Sequence, residues 1–384
     1  MALAELDAIH PFSIAVGDGE LRDLHERLDR TRWPDELPEV GWSYGVPMGY
    51  LKGLAHYWRS AYDWRAHEAR LNTLPQFTTM IDGARVHFVH LRSPRQDALP
   101  LIVTHGWPGS IVEFLDVLGP LTDPVAHGAD AADSFHVVAP SIPGFGFSGP
   151  TQDPGWDVAR IAAAWATLMG RLGYGRYGAQ GGDWGSRISW QLGRLAREHV
   201  VGVHVNMLVP AQPPEGAELT RNEQRLLDLR RYFQDELSGY MKVQSTRPQT
   251  LAYALTDSPV GQLAWVVEKF MEWSDSDSAP EDAVDRDDML TNVMLYWLTA
   301  TAGSSARIYR EHARSVGYGE LEPTSTPTGV AVFAADPTQP IRRFAENTSN
   351  IVHWSVFDRG GHFAAMERPE DFVGDVRAFF RRFR

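Results

Sequence analysis

Residues Tyr177 to Ser186, reading Tyr-Gly-Ala-Gln-Gly-Gly-Asp-Trp-Gly-Ser, constrain the fold of this chain more than any other stretch. An aromatic and small-residue run leads into Gly-x-Asp-x-Gly. From Arg187 to Arg197, Ile188, Leu192 and Leu195 then recur at helical spacing. A strand, a glycine-flanked turn and a helix in that order make a nucleophile elbow, whose glycines permit the sharp turn that pushes the central side chain out over the sheet edge. Here that side chain is Asp183, where the familiar form has serine. A carboxylate that attacks a saturated carbon makes an ester, which water then cleaves at its carbonyl; a serine would make an ether and stop. The elbow therefore points to ring opening or displacement at a saturated carbon, and away from peptide or ester cleavage. Glycine-flanked aspartates also occupy ordinary turns, so the reading depends on partners elsewhere in the chain.

Strand and helix patterns alternate around this stretch. Phe77–Ile81 and Val86–Leu91 flank Asp82-Gly83, a hairpin signal. Pro100–Thr104 and His136–Pro140 are apolar runs suited to buried parallel strands. Val200–Leu208, Thr328–Asp336 and Val352–Phe357 complete the set, with helical stretches such as Val158–Leu172 between them. The alternation predicts an α/β fold with a mostly parallel, eight-stranded sheet covered by helices on both faces. Glu218 to Thr301 breaks the pattern. It reads as helices alone, including Glu223–Leu237, Val260–Trp273 and Arg286–Thr301, and such an insertion would sit over the sheet's carboxyl edge as a lid. Before the first strand, Asp18–Arg32 and Met48–Tyr62 are amphipathic helices of a wrapping extension whose role reads as stability rather than catalysis. The expected division is 1–74 extension, 75–210 first part of the core, 211–310 lid and 311–384 second part of the core.

Composition narrows the function. A formal charge of -13 argues against nucleic-acid partners. The absence of cysteine removes disulfides and thiolate metal sites. No histidine pair has helical metal-ligand spacing, and His87 and His90 lie three apart on a predicted strand, so neither a metal nor an organic cofactor is expected. Met1 to Ile14 carries Glu5, Asp7 and His10 with no long apolar run, which reads as neither signal peptide nor membrane anchor, so a soluble cytoplasmic protein is expected. Homodimerisation is left open.

The partners of Asp183 follow from chain order. On an α/β-hydrolase scaffold the nucleophile is followed by an acid after a late strand and a histidine after the last one. Asp336 and His362 occupy those places, with Glu346 a competitor for the acid. His105-Gly106-Trp107-Pro108 places the backbone N–H of Trp107 where, with that of Trp184, it can hold an oxyanion.

The chain resembles the microsomal-type epoxide hydrolases, a family that includes the juvenile hormone epoxide hydrolases. The likeness runs through Pro11-Phe12 to Arg32-Trp33-Pro34, His105 to Ser110, Gly181 to Gly185, Gly239-Tyr240-Met241, Arg247-Pro248, Asp257 to Gly261, Leu290-Thr291-Asn292, Tyr296-Trp297 and Arg359 to Ala365. It implies the α/β-hydrolase fold with an N-terminal epoxide hydrolase extension, a small-molecule epoxide as substrate and a vicinal diol as product. It also implies two lid tyrosines that hold the epoxide oxygen, which map to Tyr240 and Tyr309. Trp107, Trp184 and Phe363 are expected to touch substrate. The lid aromatics Tyr232, Phe233, Trp265, Phe270, Trp273 and Trp297 suit a bulky apolar epoxide, and a GC-rich composition suggests natural-product tailoring beside detoxification. Two alternatives use the same scaffold: a haloalkane dehalogenase, with Trp184 as a halide donor, and a noncatalytic ligand-binding protein.

Overall fold

The computed structural model describes residues 8–209, 211–317 and 323–384. Glu5 and Asp7 of the N-terminal reading, and Pro210 at the expected core boundary, lie outside them.

Nine strands form one sheet: β1 (His10–Phe12), β2 (Gln76–Ile81), β3 (Ala84–Leu91), β4 (Leu99–Thr104), β5 (Phe135–Pro140), β6 (Tyr177–Gly181), β7 (Val200–Val205), β8 (Thr324–Phe333) and β9 (Ser349–Phe357), in the order β1-β2-β3-β5-β4-β6-β7-β8-β9. β5 through β9 run parallel, and β1, β2 and β3 are antiparallel additions at one edge. At the hairpin, Asp82 and Gly83 both take left-handed φ angles (48° and 79°), the conformation a two-residue turn with the sheet's own twist requires. β5 is buried along its whole length and β4 along all but Pro100, as expected for central strands covered on both faces. Helix Val158–Arg171 covers one face and buries Ile161, Trp165, Leu168 and Met169. Its Trp165 indole donates to Thr104 Oγ1 at 3.1 Å.

Three features differ from the sequence reading. The sheet has a ninth strand, because the extension contributes β1, pairing Pro11 with Phe77. A third helix, Trp64–Asn72, follows the second, started by Asp63, whose carboxylate accepts from the N–H groups of Arg65 and Ala66. β8 begins at Thr324, with Pro327 accommodated at a register shift rather than blocking the strand.

Between β7 and β8 the described residues form helices, among them Arg221–Tyr232, Gly239–Thr246, Pro248–Asp257, Pro259–Trp273, Arg286–Leu298 and Arg307–Ser315. Glu223–Leu237, read as one helix, changes to a π-helical turn at Phe233–Leu237. The extension is anchored twice. Asn72 bonds both the N–H and the C=O of Ile14 at 2.8 Å, and Glu68 accepts from Val16 N–H at 2.7 Å. Toward the insertion, Tyr50, Tyr57 and Tyr62 bond Glu281, Asp287 and Thr291, and the buried Trp58 indole reaches Met294 Sδ at 3.1 Å. The extension thus braces helix Arg286–Leu298, which lies over the sheet's carboxyl edge.

The helix after β6 lies so close to β4 that a Cβ on Gly185 would stand 1.8 Å from the Thr104 carbonyl oxygen. Gly185→Ala is expected to cost at least ~2 kcal/mol in denaturant unfolding, because backbone rather than a flexible side chain must yield. Gly49→Ala, in open space on an exposed helix face, should be neutral or stabilising by a few tenths to about 1 kcal/mol. Equal effects at the two sites would contradict the close approach.

Candidate active site

Asp183 opens helix Asp183–Leu195 directly beyond β6 with φ 47°, a left-handed conformation that costs a non-glycine residue about 1 kcal/mol or more. The neighbouring glycines serve close approach. A Cβ on Gly181 would meet Gly185 backbone at 2.2 Å, one on Gly182 would meet Asn206 at 2.7 Å, and one on Gly106 would overlap the Asp183 side chain at 2.3 Å. The carboxylate is therefore packed between two loops at the carboxyl ends of β4 and β6. Trp107 N–H donates to its Oδ1 at 2.8 Å, and Trp184 N–H also bonds the carboxylate.

The loop carrying Trp107 is held from above. Asn292 Nδ2 donates to the Pro108 carbonyl at 2.7 Å, and the Tyr296 hydroxyl to that of Gly109 at 2.6 Å. Both come from helix Arg286–Leu298, so the insertion braced by the extension sets the position of the Trp107 N–H. These two side chains lie in segments quoted for the resemblance, yet residue type alone does not single them out.

Asp336 and His362 converge on Asp183. His362 Nδ1 lies 3.2 Å from Asp336 Oδ2, and its Nε2 lies 3.7 Å from Asp183 Oδ2. Asp336 sits three residues beyond the end of β8, where its Oδ1 accepts from the Thr338 N–H and hydroxyl at 2.7 and 2.9 Å. The competitor Glu346 pairs instead with Arg342 at 2.8 Å, both well exposed. Two contacts hold the histidine's own backbone, and a third side chain holds the residue beside it. Its N–H donates to the Trp273 carbonyl at 2.7 Å, and Asn206, itself bonded by Gln180, reaches its carbonyl at 3.4 Å. Glu367 accepts from Phe363 N–H at 2.9 Å and Asp275 N–H at 2.8 Å, clasping the histidine loop to the end of helix Pro259–Trp273.

Above the carboxylate stands an aromatic group. Tyr240 stacks on Trp107 with ring centroids 5.0 Å apart, while Tyr309 meets Trp184 edge-on at 4.7 Å and Tyr240 at 5.8 Å. Trp273 lies 5.1 Å from Tyr240 and 5.0 Å from His362. Of the insertion aromatics expected to line the site, Trp273 is in ring contact with Trp107, Tyr240 and His362. Phe270 and Phe363 stack on each other at 4.2 Å, both buried. Trp265 bonds Gln244, Trp297 packs near Arg27, and Phe233 packs against the core edge. Tyr232 is 55 % exposed on the outer surface. The aromatic content of the insertion is thus mostly its own packing.

A family model described as epoxide hydrolase N terminus matches residues 9–114, and one described as alpha/beta hydrolase fold matches residues 100–277. A Stigmatella aurantiaca protein provisionally named an epoxide hydrolase is 49 % identical over 98 % of this chain and 86 % of its own length. The chain belongs to the epoxide hydrolase family. Two solved structures of family members superpose along nearly the whole chain. The juvenile hormone epoxide hydrolase of the silkworm Bombyx mori gives a TM-score of 0.90 at 30 % identity, covering 99 % of this chain and 96 % of its own. The Aspergillus niger epoxide hydrolase gives 0.87 at 33 % identity, covering 98 % and 97 %.

Electrostatics around Asp183 and His362 follow from burial and paired charge. Burial alone would pull the His362 imidazole down, but the hydrogen bond and charge of Asp336, then the charges of Asp183 and Glu113, outweigh it and raise the group to about 9. Burial pushes the Asp183 carboxyl above its usual range, against the charge of His362 and the N–H groups of Trp107 and Trp184. Glu113 and Glu367, both desolvated beside His362, are each raised to about 7. Sequence reasoning missed both, since a charged residue is normally read as surface.

A histidine raised in the folded state stabilises it fully below its unfolded value near 6.5, and this contribution is lost as pH rises through about 9. Asp336→Asn removes the strongest raising partner. The thermal midpoint of the unaltered protein is expected to fall between pH 6.5 and 9 more steeply than that of Asp336→Asn. Parallel curves would contradict the ion pair.

Proposed function

We propose that the chain is a cofactor-independent epoxide hydrolase that opens an epoxide with water to a vicinal diol through an ester on Asp183. The observation that carries this reading is a partly buried carboxylate at a left-handed elbow, with one oxygen held by the Trp107 N–H and the other facing a histidine paired to Asp336. In this reading Tyr240 and Tyr309 donate hydrogen bonds to the epoxide oxygen, and Asp183 Oδ2 attacks a ring carbon from the opposite side. The C–Oδ2 bond forms as the ring C–O bond breaks. Its electron pair passes to the epoxide oxygen, which takes a proton from a tyrosine that His362 replenishes.

Esterification removes the Asp183 charge, one of those that raise His362, so the imidazole becomes easier to keep neutral when a base is needed. His362 then takes a proton from water, and the hydroxide adds to Cγ of Asp183. Negative charge gathers on Oδ1, to which the Trp107 N–H already donates, with the Trp184 N–H bonded to the same carboxyl group. Collapse breaks the ester bond, and the departing oxygen recovers the proton from His362. The new carboxylic acid then protonates His362 and restores the resting pair.

Within this reading, residues 1–74 are a bracing extension, 211–310 a lid, and 75–210 with 311–384 the catalytic core. The substrate class is a bulky, apolar, aryl-bearing epoxide, with Trp107, Trp184 and Trp273 as its ring contacts; Phe363, stacked on Phe270, supports that wall from behind. We place the enzyme in the cytoplasm; among the described residues no helix is long and apolar enough to cross a membrane.

The two half-reactions separate on His362→Gln, which keeps the nucleophile and removes the base. Incubated with an aryl epoxide, this variant is expected to gain the mass of the whole epoxide at Asp183 and to release diol at least ~100-fold more slowly. A gain of substrate minus hydrogen halide from a haloalkane would mark a dehalogenase instead. No covalent gain with any epoxide of an aryl and alkyl panel would overturn the proposal.

A further inference from the structure

Lys269 is one of three lysines in the chain, and its side chain is only 2 % exposed. It projects from helix Pro259–Trp273 onto the same aromatic group that overhangs Asp183. Its ammonium stands 4.9 Å from the ring centroid of Tyr240 and 5.6 Å from that of Trp273. Trp273 is four residues further along the helix and so shares its face. Tyr240 in turn stacks on Trp107, whose N–H holds the nucleophile. Nothing in the mechanism above uses this cation.

Two carboxylates face it: Glu272 at 2.7 Å and Glu268, whose side chains are 24 % and 29 % exposed. A bland reading makes Lys269 a structural ion-pair partner of these glutamates. Solvent screens the two partly exposed carboxylates far more than it screens the ammonium. The charge of the cluster that stands in contact with the rings of Tyr240 and Trp273 is the ammonium.

We propose that Lys269 is a positioning residue of the ring-opening step that acts through Tyr240, holding its ring and strengthening its hydroxyl as a donor to the epoxide oxygen. The inference rests on the reading of Tyr240 as such a donor. The physical basis is differential. As the C–O bond breaks, the oxygen draws the tyrosine proton toward itself, and the negative charge left behind spreads into the ring. A cation over that ring attracts a phenolate-like ring more than a phenol, so the contact grows stronger toward the transition state.

A double-mutant cycle with styrene oxide as probe tests this, following the covalent ester by quenched intact mass in single turnovers. Lys269→Gln, which can still hydrogen-bond the two glutamates, is expected to slow ester formation about tenfold, the scale of a desolvated cation–π contact. It should leave hydrolysis of the formed ester unchanged. Lys269→Arg keeps the charge and should recover at least half of the lost rate. In the Tyr240→Phe background, where the ring and its packing remain but the hydroxyl is gone, Lys269→Gln should change the rate less than twofold. Lys269→Met is the second neutral variant and should match Lys269→Gln. Equal slowing in both backgrounds, or a folded neutral variant that forms ester at the unaltered rate, would overturn the proposal. Tyr240→Phe alone forming ester at the unaltered rate would instead remove the donor reading of Tyr240, and the inference with it.

Discussion

The 2.8 Å hydrogen bond from Trp107 N–H to Asp183 Oδ1 is the contact on which the rest of the site depends. A carboxylate taken out of water loses several kcal/mol of solvation unless other donors replace it. Here the donors are backbone N–H groups, and backbone groups sit where the chain around them is pinned. On one side the pin is the elbow, whose glycines let the helix after β6 approach Thr104 at the end of β4. On the other it is the Trp107–Gly109 loop, tied by Asn292 and Tyr296 to the insertion. That insertion is itself braced by the N-terminal extension through Tyr57, Trp58 and Tyr62. Side chains 184 and 187 residues away in sequence, Asn292 and Tyr296, thus set the loop that carries this N–H group.

The histidine side is built by the same logic with different parts. Asp336 orients the ring, and the backbone of the His362 loop is fastened to the end of helix Pro259–Trp273 by Trp273 O, Asp275 and Glu367. The insertion therefore holds both the loop with the Trp107 N–H donor and the loop with His362. Any displacement of helix Pro259–Trp273 would move His362, Trp273 and Lys269 together.

The parts of this arrangement that were legible in the sequence carry strong local signals. Asp183 stands in a Gly-x-Asp-x-Gly pattern set between a strand signal and a helix signal, the apolar runs of β4 and β5 are long, and His362 follows the last strand. What escaped has weak or ambiguous signals. β1 is three residues, one of them proline, and exists because β2 offers it an edge. Helix Trp64–Asn72 is nine residues of mixed polarity that one aspartate cap starts. Asn206 and Lys269 are buried, and the carboxyls of Glu113 and Glu367 desolvated, by tertiary packing that no period encodes. Tyr232 shows the converse error, since aromatic content says how much apolar surface a segment has without saying which side chains face a cavity. Asp336 was separable from Glu346 only once three-dimensional placement put one against His362 and the other against Arg342.

In the proposed mechanism Asp183, rather than water, forms the first new bond to carbon. A single turnover in heavy-oxygen water, with enzyme in excess over epoxide, tests it most directly. Because water attacks the carboxyl carbon of the ester, the label should enter the Asp183 carboxylate, and the first diol released should carry the ordinary oxygen that came from the protein. Label found wholly in that first diol, with none in Asp183, would mean direct attack of water on the epoxide and would contradict the account.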